Sequence, residues 1–274
     1  ATEPKTIEEC ETFMAPVRDF MDNWFLEEIE QAPKSVPNKP RSALTAMLEK
    51  WRRWFFDGKA SGHNRKAGDE EAMRAALGDQ HFDYLETIRL KGFNPSRLGV
   101  RKQFDNPNHE GAEKAGLKIL QDFYKQATQH KTFLLSQEGP VRERLVEANV
   151  FFSPMTAVLK RHSDGTTQIG SDGLERWRSI VDATASDNAR APNSNTFSFL
   201  HHVQQTTDMV SLIRCLLRLE RRHPNRLIFM DKKDISDAFR QLMLCAEELG
   251  LYAHAYGGFT NLTLSLAFGP ATSP

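Results

Sequence analysis

The sequence predicts an α+β protein. Apolar residues recur at three- and four-residue steps through most of residues 1–148. Short apolar runs bounded by Gly, Asn and Pro dominate residues 149–274, where the pair Gly257-Gly258 separates two strand-like segments. The first segment is therefore expected to be mostly helical, and the second to combine helices with an antiparallel sheet.

From Lys5 to about Ala32, Phe13, Val17, Phe20, Met21 and Trp24 mark one amphipathic helix, which Pro33 and Pro37 break. A second helix is expected from Ser42 to Phe56, ending at Asp57-Gly58, with Trp51, Trp54 and Phe55 as packing side chains rather than a ligand platform. Further helices are expected near Asp69 to Leu77, Phe82 to Leu90, Gly111 to His130 and Val141 to Ala148, joined by polar stretches. No internal repeat or low-complexity tract interrupts them.

Beyond residue 149, Val150 to Pro154, Met155 to Leu159 and Trp177 to Val181 read as short strands around the turn-rich stretch Ser163 to Gly173. A helix is expected from Thr207 to Arg222, closed by His223-Pro224 and carrying Cys215 on its apolar face. Leu227 to Met230 is a compact apolar strand, Ala238 to Leu249 returns to helix, and Tyr252–Tyr256 with Asn261–Phe268 form the arms of a hairpin.

The 274 residues are 39% hydrophobic and 26% charged, enough apolar material for a packed core. Thirty-six Lys and Arg balance thirty-six Asp and Glu, so no bulk basic field advertises nucleic acid, and such a partner must meet a local groove. No apolar run approaches the roughly 20 residues of a membrane span, and the first residues carry no secretory signal. Cys10, Cys215 and Cys245 share no ligand or disulfide spacing. These features predict a soluble protein in a reducing, intracellular setting, cytoplasmic or nuclear, with no membrane partner.

The densest chemistry follows the strand at Leu227–Met230: Asp231, Asp234 and Asp237 lie within seven residues. Carboxylates at a strand end suit a hard cation such as Mg²⁺. A solvated strand-to-helix turn in which Ser236 or Asp237 caps the next helix fits the spacing equally well. His201-His202 lacks metal-ligand spacing. Arg214, Arg218, Arg221 and Arg222 recur at helical steps, as a phosphate-contacting face or simply a solvated one.

Three segments, in order, resemble reverse transcriptases of retroviruses and long-terminal-repeat-type retrotransposons. Ser153-Pro154, Val158-Leu159-Lys160-Arg161 and Trp177-Arg178-Ser179-Ile180-Val181-Asp182 are similar to the family's first fingers segment. Asp234-Ile235-Ser236-Asp237-Ala238-Phe239 matches its D-[ILV]-x-x-A-[FY] palm motif, and Leu266 to Pro274 matches L-P-x-G-x-x-x-[SA]-P apart from Ala267. The likeness covers about residues 150–274, as fingers and partial palm.

The resemblance implies RNA-directed DNA synthesis by two-metal nucleotidyl transfer, using Mg²⁺ or its substitute Mn²⁺, with primer-template and deoxynucleoside triphosphates as partners. It assigns Asp234 as catalytic metal ligand. Lys160 or Arg161, with Arg178, would neutralise triphosphate charge, Asp237 would lie along the triphosphate, and Phe239 would stack under the sugar. Phe268 and Gly269 would border the nascent base pair. The family's next hairpin carries [YF]-x-D-D, which these 274 residues lack, so the catalytic set is expected to be incomplete. The competing expectation is a non-catalytic, retroelement-derived interaction module whose helical half, 1–148, binds a protein partner beside a polymerase-like segment, 149–274.

Overall fold

A computed structural model of the chain describes residues 3–55, 69–94, 107–170, 173–182, 209–224, 226, 243–250 and 252–265. Helix α1, Ile7–Gln31, starts where the Thr6 hydroxyl accepts the Glu9 N–H at 3.1 Å, and it carries Pro16 within its length. Helix α2, Lys39–Phe55, starts where the Asn38 side chain accepts the Arg41 N–H at 2.9 Å. The expected helices near 69–77 and 82–90 are α3, Glu70–Leu77, and α4, Asp79–Lys91. The one expected from Gly111 to His130 is two: α5, Glu110–Lys114, and α6, Gly116–Thr128, part at Ala115, whose φ of −115° and ψ of 26° are not helical. Helix α7 spans Gly139–Glu147 and α8 spans Met209–Arg222.

Five described strands follow two antiparallel patterns. Strands β1, Thr132–Ser136, β4, His254–Tyr256, and β5, Phe259–Thr263, form one sheet in the order β1-β5-β4. Strands β2, Met155–Leu159, and β3, Trp177–Val181, form a separate hairpin. The β4–β5 turn uses Gly257 at φ 58° and Gly258 at φ 82°, the pair of positive angles that a tight two-residue hairpin requires.

Strand β1 organises the core because consecutive side chains leave a strand on opposite faces. Phe133 and Leu135 join Trp24, Leu44, Met47 and Trp51 in one buried cluster. Leu134 points into the other, with Met14, Phe123, Met155 and Phe259. Residues of 1–148 and of 149–274 thus share both clusters and one sheet.

Three expectations need correction. The stretch between Lys131 and Pro140, read as a joint, contains β1; its partner is more than a hundred residues away, at Phe259–Thr263, and no neighbouring strand signals it. The helix expected through Leu249 is absent from 243–249, where a single 3-10 turn occupies Ala246–Glu248. Its backbone is engaged elsewhere: Leu244 N–H donates to the Leu264 carbonyl and Cys245 N–H to that of Phe93, while Arg41 takes the Ala246 and Glu247 carbonyls. Cys215, expected on an apolar helical face in the core, is exposed, and so are Ile213, Leu217 and Leu219 of the apolar arc of α8. The strand at Leu227–Met230 lies outside the described residues. No described helix is long and apolar enough to cross a membrane.

Candidate functional site

The site is built on the β2–β3 hairpin. Its register runs from Met155 opposite Val181 to Leu159 opposite Trp177. The inner face, with Met155 and Ala157 buried, rests on α5 and α6, and the Ser179 hydroxyl donates to Asp122 of α6. Residues 108 and 109 clamp its base. Asn108 accepts the Met155 N–H at 2.8 Å and donates to the Ala255 carbonyl at 2.9 Å, and His109 Nε2 meets the Asp182 carboxylate at 3.1 Å. Gly111 admits α5 against β2: a Cβ there would lie 2.5 Å from the Ala157 carbonyl oxygen.

Beyond Leu159 the hairpin closes in a triangle of backbone hydrogen bonds. Lys160 N–H donates to Arg176, Arg176 N–H to Gln168 and Gln168 N–H to Lys160, at 2.8, 2.9 and 2.9 Å. Strand alternation then sets Val158 and Lys160 with Arg176 and Arg178 on the outer face, where all four are exposed. Diagonal neighbours across a ladder lie roughly 7–8 Å apart, within reach of long side chains. Arg161 belongs elsewhere: its guanidinium donates to the Gly165 carbonyl at 3.1 Å and braces the turn. Gly170 leaves the room that the Arg176 guanidinium occupies.

Between this hairpin and α5–α6 lies a cleft of about 510 Å³, lined by Lys114, Lys118, Lys160, Arg176 and Trp177, with Glu3 and Glu175 among the other residues. Lys114 pairs with Glu110 at 2.6 Å and Lys118 with Asp122 at 2.7 Å. The pairing with Lys114 also holds the exposed Glu110 carboxyl below its ordinary pKa. A second cavity of similar volume offers one cation, Arg142, whose guanidinium stacks on Phe152. Charge therefore favours the first cleft as the place for an anion.

The structure brings Lys160 and Arg178 onto one face and separates Arg161 from them. Sequence reasoning missed Arg176, although Arg176-Trp177-Arg178 already displays the period-two spacing that puts two cations on one face of a strand. Lys114 and Lys118 carried no signal, because only the chain's return beside α5–α6 makes them neighbours of the hairpin. Asp234, Asp237, Phe239, Phe268, Gly269 and His201-His202 lie outside the described residues. Among the described residues no group of three or more His, Cys, Asp or Glu could hold a metal ion. Burial pushes the Cys10 and Cys245 thiols up to about 11, so neither is a ready nucleophile at neutral pH.

No family model, curated protein or solved structure matches the chain.

Proposed function

We propose that residues 149–274 are the fingers and first part of the palm of a retroelement-type RNA-directed DNA polymerase, with the outer face of the β2–β3 hairpin receiving the phosphates of a nucleoside triphosphate or of primer-template. The observation that carries this is the hairpin register: the Trp177–Val181 strand pairs with Met155–Leu159 so that Lys160 and Arg178 share an outer face. Lys supplies a compact point charge and Arg a planar fork, a combination suited to phosphate oxygens. Arg176 adds a third cation to that face.

Asp234 would contribute a carboxylate to Mg²⁺ or Mn²⁺, which in this chemistry clamps attacking and leaving oxygens. Asp237, Phe239, Phe268 and Gly269 keep the roles that the sequence likeness implies, at the nucleotide and the nascent pair. The 274 residues hold one of the metal-binding carboxylates this chemistry needs, so binding rather than turnover is the activity to measure on them.

The test is fluorescence anisotropy with a labelled RNA–DNA primer-template across a salt series, on the full chain and on a Lys160→Ala/Arg178→Ala variant. Binding that weakens with salt, and a shallower salt slope for the variant, is the expected result. Identical affinity and slope for both proteins, or no binding at all, removes the polymerase assignment and leaves the interaction-module alternative for the helical half.

A further inference from the structure

Helix α1 presents an apolar stripe to solvent: Phe13 is 54% exposed, Val17 38% and Phe20 57%, at the i, i+4, i+7 spacing of a helix-docking face. The stripe continues through aromatic contacts. Phe13 meets Tyr124 at 5.8 Å between ring centres, Phe20 meets Trp24 at 6.2 Å, and Trp24 stacks at 5.2 Å on Trp54, itself 59% exposed. A contiguous aromatic band of this kind is a protein-interaction signature rather than ordinary surface.

Charge decides what can cover it. Helix α1 carries eight acids and a single Arg, and exposed Glu9 and Glu27 flank the stripe. Nucleic acid and anionic lipid are repelled by such a flank. Self-pairing of α1 is opposed as well: a parallel pair sets Glu9 against Glu9, and an antiparallel pair centred on Val17 sets Glu9 near Glu27. The occupant must be a basic amphipathic helix.

Helix α8 has that character. Its Arg214, Arg218, Arg221 and Arg222 fall on one arc, and Ile213 and Leu217, 48% and 46% exposed, lie on the adjoining apolar arc. Helices of this length are marginal alone in water, so a 14-residue helix with residues such as Ile213 and Leu217 exposed is poised to gain from a surface. We infer that α8 of one copy docks on the α1 stripe of a second copy and receives the same contact in return, giving a closed two-fold dimer. The inference rests on the helical half being an interaction module, and it names the partner.

Sedimentation velocity on the full chain tests it, with two variants that alter only exposed side chains. Phe13→Ser/Phe20→Ser disables the α1 face, and Arg214→Glu/Arg218→Glu/Arg221→Glu disables α8. The wild type is expected to dimerise in a concentration- and salt-dependent way, and each variant alone to dissociate at about a hundredfold lower affinity or worse. An equimolar mixture of the two is expected to recover dimer, because one intact face of each kind remains. A wild-type monomer throughout the micromolar range, or a mixture that fails to recover, overturns the dimer. Retained dimerisation by the α8 variant alone also overturns it, while leaving α1 as an interaction surface. No nucleic acid enters the assay, so failure of the polymerase assignment does not affect the outcome.

Discussion

The backbone N–H of Lys160 donates to the carbonyl of Arg176 across 2.8 Å, fastening two cations from opposite arms of one hairpin side by side. The bond fixes where the two exposed side chains originate, on one face of the hairpin. Replacing either cation by Ala is expected to weaken primer-template binding and to flatten the salt slope by about 0.7 per lost single-strand phosphate contact, or about 0.9 on duplex. Because both residues are exposed, the free energy of unfolding is expected to stay within about 0.5 kcal/mol of wild type. An altered affinity with an unaltered slope would show that neither residue meets a phosphate.

Gly111 is the closest approach of helix α5 to strand β2. A Cβ there would meet the Ala157 carbonyl oxygen at 2.5 Å and the Thr156 hydroxyl at 2.8 Å, and a carbonyl held in a sheet cannot swing aside. Gly111→Ala is expected to destabilise the chain by roughly 1–3 kcal/mol. Urea denaturation reads this directly, and a midpoint at or above wild type would mean that α5 shifts freely.

His130 carries a pH dependence of definite sign. Its ring stacks on Phe55 at 4.0 Å, its backbone has φ 59°, and burial lowers its pKa below 6.5. The folded state thus prefers the neutral ring. His130 contributes its full stability above pH 6.5 and loses it as pH falls through the lower, folded value. Asn tolerates the left-handed backbone and does not titrate, so His130→Asn is expected to lose less stability than wild type between pH 7.5 and 5. Parallel losses in the two proteins would refute the assignment.

Asp22 has the opposite relation to pH. Burial raises its pKa above 3.8, against the lowering effect of hydrogen bonds from the Ser136 hydroxyl and from the Ser136 N–H at 2.9 Å. The carboxyl is therefore better tolerated protonated, and its contribution to stability falls as pH rises from 3.8 through the folded value. Ser136→Ala keeps the backbone donor, removes the hydroxyl and moves that loss to higher pH. The shift is read from unfolding midpoints between pH 4 and 7, with Asp22→Asn as the variant in which it disappears.

Phe133 fills the space between Trp24 and Trp51, with edge contacts at 6.1 and 5.4 Å and no exposure. Phe133→Ala is expected to cost about 3–5 kcal/mol, since the two flanking indoles cannot collapse into the void. Calorimetry measures the cost, and a loss under about 1 kcal/mol would mean that the aromatic cluster repacks.

Local signals in the sequence succeeded where the chain's own neighbourhood sets the structure. The apolar period of α1, the paired glycines between β4 and β5, and the short Trp177–Val181 strand all follow from residues within one element. Strand β1 was illegible because Thr132–Ser136 finds its partner at Phe259–Thr263, and no short window contains both. The same reason hid Lys114 and Lys118, whose place beside Lys160 is a product of tertiary packing. Arg41 and Arg52 bond to backbone carbonyls near residue 245, so helix-like spacing there gave way to contacts made from α2.

The order β1-β5-β4 has a kinetic consequence. The middle strand of that sheet is the last of the three to be made, because β5 ends at Thr263 while β1 ends at Ser136. At typical synthesis rates the ribosome needs on the order of ten seconds to supply the intervening chain. During that interval Phe133, Leu134 and Leu135 have emerged without the strand that will pair with them. A chaperone binding near residues 132–136 of the nascent chain is the expected remedy, and a ribosome stalled before residue 259 would display that apolar strand to it.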